Sequence, residues 1–166
     1  MSQQEHKAAA PSAVAVAVLT VSDTRTEATD TSGRAIRDLV AGAGHRVAAT
    51  AIVRDDPAAV TAFIEGQLRG DAQVVITTGG TGITTRDSTF EAVDALLEKR
   101  LDGFGELFRM LSYQDIGPAA MLSRATAGLA RGKVVIALPG SEAAVRLAMT
   151  KLVIPELGHL VQQAAK

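Results

Sequence analysis

The stretch Thr77-Thr78-Gly79-Gly80-Thr81-Gly82-Ile83-Thr84-Thr85-Arg86-Asp87 carries the densest chemistry in the chain. Glycines at 79, 80 and 82 let backbone N–H groups turn inward with no Cβ in the way, which is how an anion nest is built. A helix following the loop adds its positive N-terminal end. Thr81 sets a hydroxyl beside the amides. The plain alternative is a reversing turn, although turns seldom need so many glycines and threonines together. Two familiar phosphate patterns do not fit. A P-loop closes on Gly-Lys-Ser/Thr, and this loop has no lysine; the dinucleotide pattern needs a third glycine where Thr85 stands.

Three further loops are chemically unusual: Ser22-Asp23, Asp55-Asp56 and Pro139-Gly140-Ser141. Asp55 and Asp87 are the candidate catalytic carboxylates. Side by side they would hold Mg²⁺, a hard cation that takes oxygen ligands and shares them with phosphates. Asp56, just before Pro57, is the expected helix cap, which leaves Asp55 free. Ser88 with Glu91 reads as a capping box, which frees Asp87 from that duty. Ser22 and Asp23 fit either an Asx-type turn or a ligand contact. Ser141 fits either a helix N-cap or a ligand contact, and Arg86 either a phosphate contact or a partner for Asp87. His6, His45 and His159 stand at no metal-ligand spacing and receive no role.

The elements that must position these loops follow from hydrophobic pattern. Ala13 to Val21, Arg46 to Val53, Gln73 to Thr77 and Lys133 to Leu138 read as strands, several of them continuously apolar as in a sheet covered on both faces. Helices are expected from about Ser32, from Pro57 to Gly70, after Ser88, and after Ser141, the last interrupted near Pro155. Leu101 to Ala127 reads as helical, broken at Gly117-Pro118. Phe104, Phe108, Met110 and Leu111 there are either core or a subunit interface. Strands alternating with helices predict an α/β fold: a three-layer, doubly wound, mostly parallel sheet with helices on both faces. In such a sheet ligands bind outside the carboxyl ends of the strands, where all four unusual loops fall.

With 166 residues the chain fits one domain, expected over 12–166 after a disordered tail over 1–11. It has no cysteine, which excludes disulfides and thiolate chemistry and suits a reducing, cytoplasmic setting. Its 17 basic and 18 acidic residues nearly cancel, and aromatics are 3%. Neither balance suits nucleic-acid binding. The scarcity of aromatics also leaves little to stack a flavin in a flavodoxin-like alternative. No apolar run approaches the ~20 residues of a membrane span.

Four segments in order, Thr20-Val21-Ser22-Asp23, Asp30-Thr31-Ser32-Gly33, Thr78-Gly79-Gly80-Thr81-Gly82 with Asp87, and Leu138-Pro139-Gly140-Ser141, resemble the MoaB/MogA family of molybdenum cofactor biosynthesis. The similarity runs from about Ala13 to Glu156. Gly103-Phe104-Gly105-Glu106 with Phe108-Arg109-Met110-Leu111-Ser112 is similar to the B-type branch. The resemblance implies a molybdopterin adenylyltransferase that binds molybdopterin and Mg-ATP and releases adenylylated molybdopterin and pyrophosphate. It implies Asp55 and Asp87 as the two essential carboxylates. The glycine-rich loop and Pro139-Gly140-Ser141 would hold the phosphates, and Ser32 joins the binding set. A homotrimer or hexamer is implied, with a downstream molybdenum-insertion protein as a possible partner. A non-catalytic molybdopterin-binding scaffold of the same pathway is the alternative; the aspartate at position 55 favours the enzyme.

Overall fold

The computed structural model describes residues 2–166. Its centre is a six-stranded sheet of β1 (Ala15–Val21), β2 (Arg46–Val53), β3 (Val74–Thr78), β4 (Lys99–Arg100), β5 (Thr126–Ala130) and β6 (Lys133–Leu138), in the order β2-β1-β3-β6-β5-β4. Strands β1 (Ala15–Val21) and β3 (Val74–Thr78) are buried at every position, and β6 (Lys133–Leu138) at all but its first residue. Such uninterrupted apolar strands are what a sheet covered on both faces demands. β1 pairs in parallel with β2 (Arg46–Val53) and with β3, and β3 pairs in parallel with β6. Successive side chains alternate between two cores. Val16, Val18, Ile76 and Ile136 face one, while Ala17, Leu19, Val75 and Val135 face the other.

The first core is covered by α2 (Thr31–Gly42), α5 (Asp102–Ile116), α6 (Glu142–Ala148) and α7 (Ile154–Ala164). The second is covered by α3 (Pro57–Leu68) and α4 (Thr89–Leu96). The doubly wound, mostly parallel α/β architecture is therefore the fold. Asp56 accepts from the Ala58 N–H and caps α3, with Pro57 in its first turn. A π-helical stretch, Met149–Val153, separates α6 from α7 just before Pro155, whose missing N–H cannot continue an α ladder.

Two expectations need correction. Leu101 to Ala127 is not helical throughout. After α5 and a 3-10 helix over Gly117–Leu122, Thr126–Ala130 forms β5, antiparallel to β6, and Lys99–Arg100 adds a short edge strand, β4. The alanines at 125, 127 and 130 suit a helix locally. The hairpin to β6 overrides them, through Arg131 and Gly132, both at positive φ (51° and 75°) as a tight two-residue turn requires. The expected tail is also partly ordered: α1 (Gln3–Ala8) is nucleated by a Ser2–Glu5 capping box and leans on α7 through a Lys7–Glu156 ion pair. Met1 lies outside the described residues.

Candidate active site

The parallel register brings the critical loops together. Val21 lies beside Val53, Thr20 beside Thr78, and Thr78 beside Leu138, so β2, β1, β3 and β6 all end on one edge. A cleft of about 530 Å³ opens there. Ser22, Asp23, Asp55, Gly79, Gly80, Thr81, Gly82, Arg86, Asp87, Pro139 and Gly140 all line it. Three residues expected at the site do not. Ser32 Oγ donates to the Gly140 carbonyl and Thr78 Oγ1 to the Pro139 carbonyl, each at 2.7 Å, so both brace that loop, and they line a small recess beside the cleft with Ser22 and Gly140. Ser141 accepts from the Ala144 N–H and serves as the cap of α6.

The glycine-rich loop is shaped by close approach. Gly79 has φ 101° and Gly80 φ 73°. A Cβ on Gly79 would lie 2.2 Å from the Val21 carbonyl oxygen, and one on Gly80 would lie 2.0 Å from Thr89 Oγ1. No L side chain is tolerated at either. The Gly79 N–H donates to the Leu138 carbonyl. Among the described residues, no acceptor takes the N–H of Gly80, Thr81, Gly82 or Ile83. Four consecutive unpaired amides, three of them from residues that line the cleft, are chemically suited to seat an anion, since backbone donors are otherwise almost always paired.

The two candidate carboxylates flank that seat. Asp55 is 8% exposed. Its Oδ1 accepts from Ser88 Oγ at 2.6 Å and from the Ser88 N–H at 3.2 Å. Its Oδ2 would lie 2.9 Å from a Cβ on Gly80. Asp87 Oδ2 accepts from Thr84 Oγ1 at 2.7 Å and from the Thr84 N–H at 3.0 Å, and packs on Gly82, where a Cβ would come within 2.6 Å. The capping box expected at Ser88 and Glu91 does not form. Ser88 donates to Asp55 and Glu91 pairs with Arg124, because a charged partner makes a stronger hydrogen bond than a neutral amide.

Arg86 pairs with Asp23 rather than with Asp87. Its guanidinium grips that carboxylate, with Nε to Oδ2 at 3.0 Å and Nη2 to Oδ1 at 2.8 Å. Asp23 Oδ1 also accepts the Asp55 N–H. The Arg86 bond, and then that N–H, hold the Asp23 carboxyl below the ordinary aspartate value. Ser22 makes the turn instead: its Oγ accepts the N–H groups of Thr24 and Arg25. Behind the wall, Asp30 accepts from Thr20 Oγ1 and from the Gly33 N–H, which caps α2. Ser88, Asp30 and Arg124 are the site-supporting residues that sequence reasoning missed. Ser88 reads locally as a cap, and Arg124 falls in a stretch whose composition reads as helix.

Elsewhere, Phe108 is fully buried in the core, while Phe104 is half-buried against it and lines an open apolar recess with Leu107, Leu152 and Leu160. The exposed apolar side chains of that region are Leu107, Met110, Tyr113 and Ile116 on α5, with Met121 and Leu122 just beyond. The His45 ring accepts the Val14 N–H through Nδ1, and burial lowers its proton affinity. Among the described residues no helix is long and apolar enough to cross a membrane.

An open, mostly parallel sheet with an amide-rich glycine loop and two carboxylates at its carboxyl edge defines a doubly wound α/β protein with a polar cleft at its strand ends. Within that class, the family model described as a probable molybdopterin binding domain matches residues 17–159. The chain is 55% identical over 162 residues to molybdenum cofactor biosynthesis protein B of Bacillus cereus, covering 96% of each. A crystal structure of a molybdenum cofactor biosynthesis protein B shares 54% identity with a TM-score of 0.89, over 93% of this chain and 98% of that one. The tungsten cofactor synthesizing protein MoaB from Pyrococcus furiosus shares 38% identity with a TM-score of 0.86, over 95% and 100%. The chain belongs to this molybdopterin-binding-domain family, whose place is molybdenum cofactor biosynthesis.

Proposed function

We propose that the chain is a molybdopterin adenylyltransferase: it transfers AMP from Mg-ATP to the terminal phosphate of molybdopterin. The observation that carries this reading is the pairing of four unclaimed amides, Gly80 to Ile83, with an acidic lining. Amides alone would suit any anion. The lining, however, carries Asp23, Asp55 and Asp87 against the single guanidinium of Arg86, which Asp23 already engages. A polyphosphate entering such a cleft meets net negative charge unless a cation enters with it.

The carboxylates fit Mg²⁺. Ser88 and Thr84 each anchor one oxygen of Asp55 and Asp87, while Asp55 Oδ2 and Asp87 Oδ1 take no hydrogen bond among the described residues. Two oriented, hard oxygen donors with a free face are what this ion shares with phosphate. Magnesium held there would offset phosphate charge as it develops.

The chain's own residues supply position. Amides 80–83 hold polyphosphate oxygens, and Gly79 and Gly80 fix those amides before any ligand arrives. A pterin phosphate oxygen then bonds to the α-phosphorus of ATP as the bond to the β-phosphate oxygen breaks, releasing pyrophosphate. Alignment and charge are nearly all that such a transfer asks of a protein. The exposed apolar face of α5 supports association into a homotrimer or hexamer. The cysteine-free chain suits the cytoplasm. The adenylylated product would pass to a molybdenum-insertion protein.

Single-turnover product analysis tests the reading. Wild-type protein should form pyrophosphate from ATP only with molybdopterin and Mg²⁺ both present. Asp87→Asn should lose about 100-fold or more in rate while still binding pterin. Pterin binding with no pyrophosphate under any condition would leave a scaffold instead. Light scattering that shows a monomer at micromolar concentration would remove the assembly.

A further inference from the structure

We infer that Arg124 is the positioning residue of the glycine-rich loop: from behind the cleft it turns the Gly82 and Ile83 amides toward the ligand. Arg124 does not line the cleft. It stands on the far side of the loop, with its side chain 29% exposed. From there it reaches both ends of the loop. Its own N–H donates to the Thr81 carbonyl at 2.9 Å. Its Nε donates to the Gly82 carbonyl at 2.9 Å, and its Nη2 to the Asp87 carbonyl at 3.4 Å. The rest of the guanidinium pairs with Glu91 in the first turn of α4 and lies 5.0 Å from the centre of the Phe90 ring.

A trans peptide is planar, so its C=O and N–H point in opposite directions. The peptide that joins Thr81 to Gly82 gives its carbonyl to Arg124 and therefore aims the Gly82 N–H the other way. The next peptide does the same for the Ile83 N–H. These are two of the four amides with no acceptor among the described residues. Arg124 thus keeps two donors aimed at open space, the Gly82 N–H through its backbone N–H and the Ile83 N–H through its side chain, an arrangement the loop would otherwise relieve by rotating. The Asp87 carbonyl bond and the Glu91 pair fix the loop's exit in the same frame, with the Asp87 carboxylate resting on Gly82.

A second arginine holds the first. Arg109 of α5 donates to the carbonyls of Ala125 and Ser123, at 3.1 and 3.4 Å, on either side of Arg124. Gly105 makes room for it, since a Cβ there would lie 2.6 Å from Arg109 Nη2. Gly105 and Arg109 gain a physical role as the rear support of the loop.

The inference rests on the proposed function only in taking these amides as the polyphosphate seat. Two measurements on the full chain separate the two ideas. The first uses ligand-free protein. Arg124→Lys keeps the charge but loses the planar fork. Amide NMR should show the Ile83 resonance displaced and its order parameter lowered, with the β3 amides unmoved and Gly82, whose peptide the backbone N–H of residue 124 still holds, less affected. The second titrates Mg²⁺-pyrophosphate. Arg124→Lys should bind about tenfold more weakly than wild type, the size of effect that removing one charge-assisted hydrogen bond produces. In Arg124→Ala, millimolar guanidinium should recover part of the affinity, which a general loss of folding would not allow. An unchanged Ile83 signal in ligand-free Arg124→Lys overturns the role of the Arg124 side chain. A wild-type chain that ignores Mg²⁺-pyrophosphate overturns the proposed function, and the ligand-free spectra still decide Arg124.

Discussion

Along one wall of the cleft, Gly79 and Gly80 hold left-handed conformations and press on Val21 and Thr89 too closely for any side chain. Elsewhere in the lining of the cleft, Asp23 and Arg86 meet as a solvent-exposed pair, 40% and 64% accessible. The first wall is held by buried contacts and glycine geometry, so it has one shape. The second is held by surface charge, which is screened by salt and contributes little to stability. One side of the cleft is therefore preorganised, and the other is free to adjust. The proposed reaction, which would seat a bulky substrate and fix its phosphates, would gain from that division.

The comparison breaks most visibly at Gly80. Gly80→Ala should destabilise the fold by roughly 3 kcal/mol, combining left-handed strain with the overlap on Thr89. It should also abolish polyphosphate binding. A urea midpoint close to wild type at unchanged m would show that the first wall yields after all.

A smaller loss is expected where the rigid wall meets Asp55. Ser88→Ala removes only the hydroxyl: the Ser88 N–H bond stays, and the 2.6 Å hydrogen bond to a nearly buried carboxylate goes. The cost should be about 2 kcal/mol by denaturation, because the acceptor is charged. Ser32→Ala loses a neutral bond to the Gly140 carbonyl and should cost about 1 kcal/mol, measured the same way. If Ser32→Ala proved the costlier of the two, the charged acceptor would not be the stronger support.

The adjustable wall should respond least in stability and most clearly in titration. The folded Asp23 carboxyl sits below its ordinary value of 3.8 because Arg86 favours the charged form. The pair's contribution is therefore fully present above 3.8 and is lost as pH falls through the lowered value. In Arg86→Gln the Asp23 midpoint, followed by carboxyl carbon NMR, should climb back toward 3.8 while the melting temperature barely moves. A large fall in melting temperature would mean that this wall, too, is structural.

Much of this is legible in the chain. The apolar runs of β1, β3 and β6 and the Pro57 helix start announce themselves because burial and backbone preference act over a few residues. The same holds for the glycines at 79, 80 and 82. β5 is not legible, since its alanines and glycine carry no period of their own and become a strand only by pairing with β6.

Local composition thus settles that a glycine loop and two aspartates stand at strand ends. It does not settle whom the charged side chains meet. Arg86 finds Asp23 across 63 positions, Arg124 finds Gly82 across 42, and Ser88 finds Asp55 across 33. Such pairings depend on which strands lie adjacent and on how much water remains between the groups, and neither quantity exists until the sheet has closed.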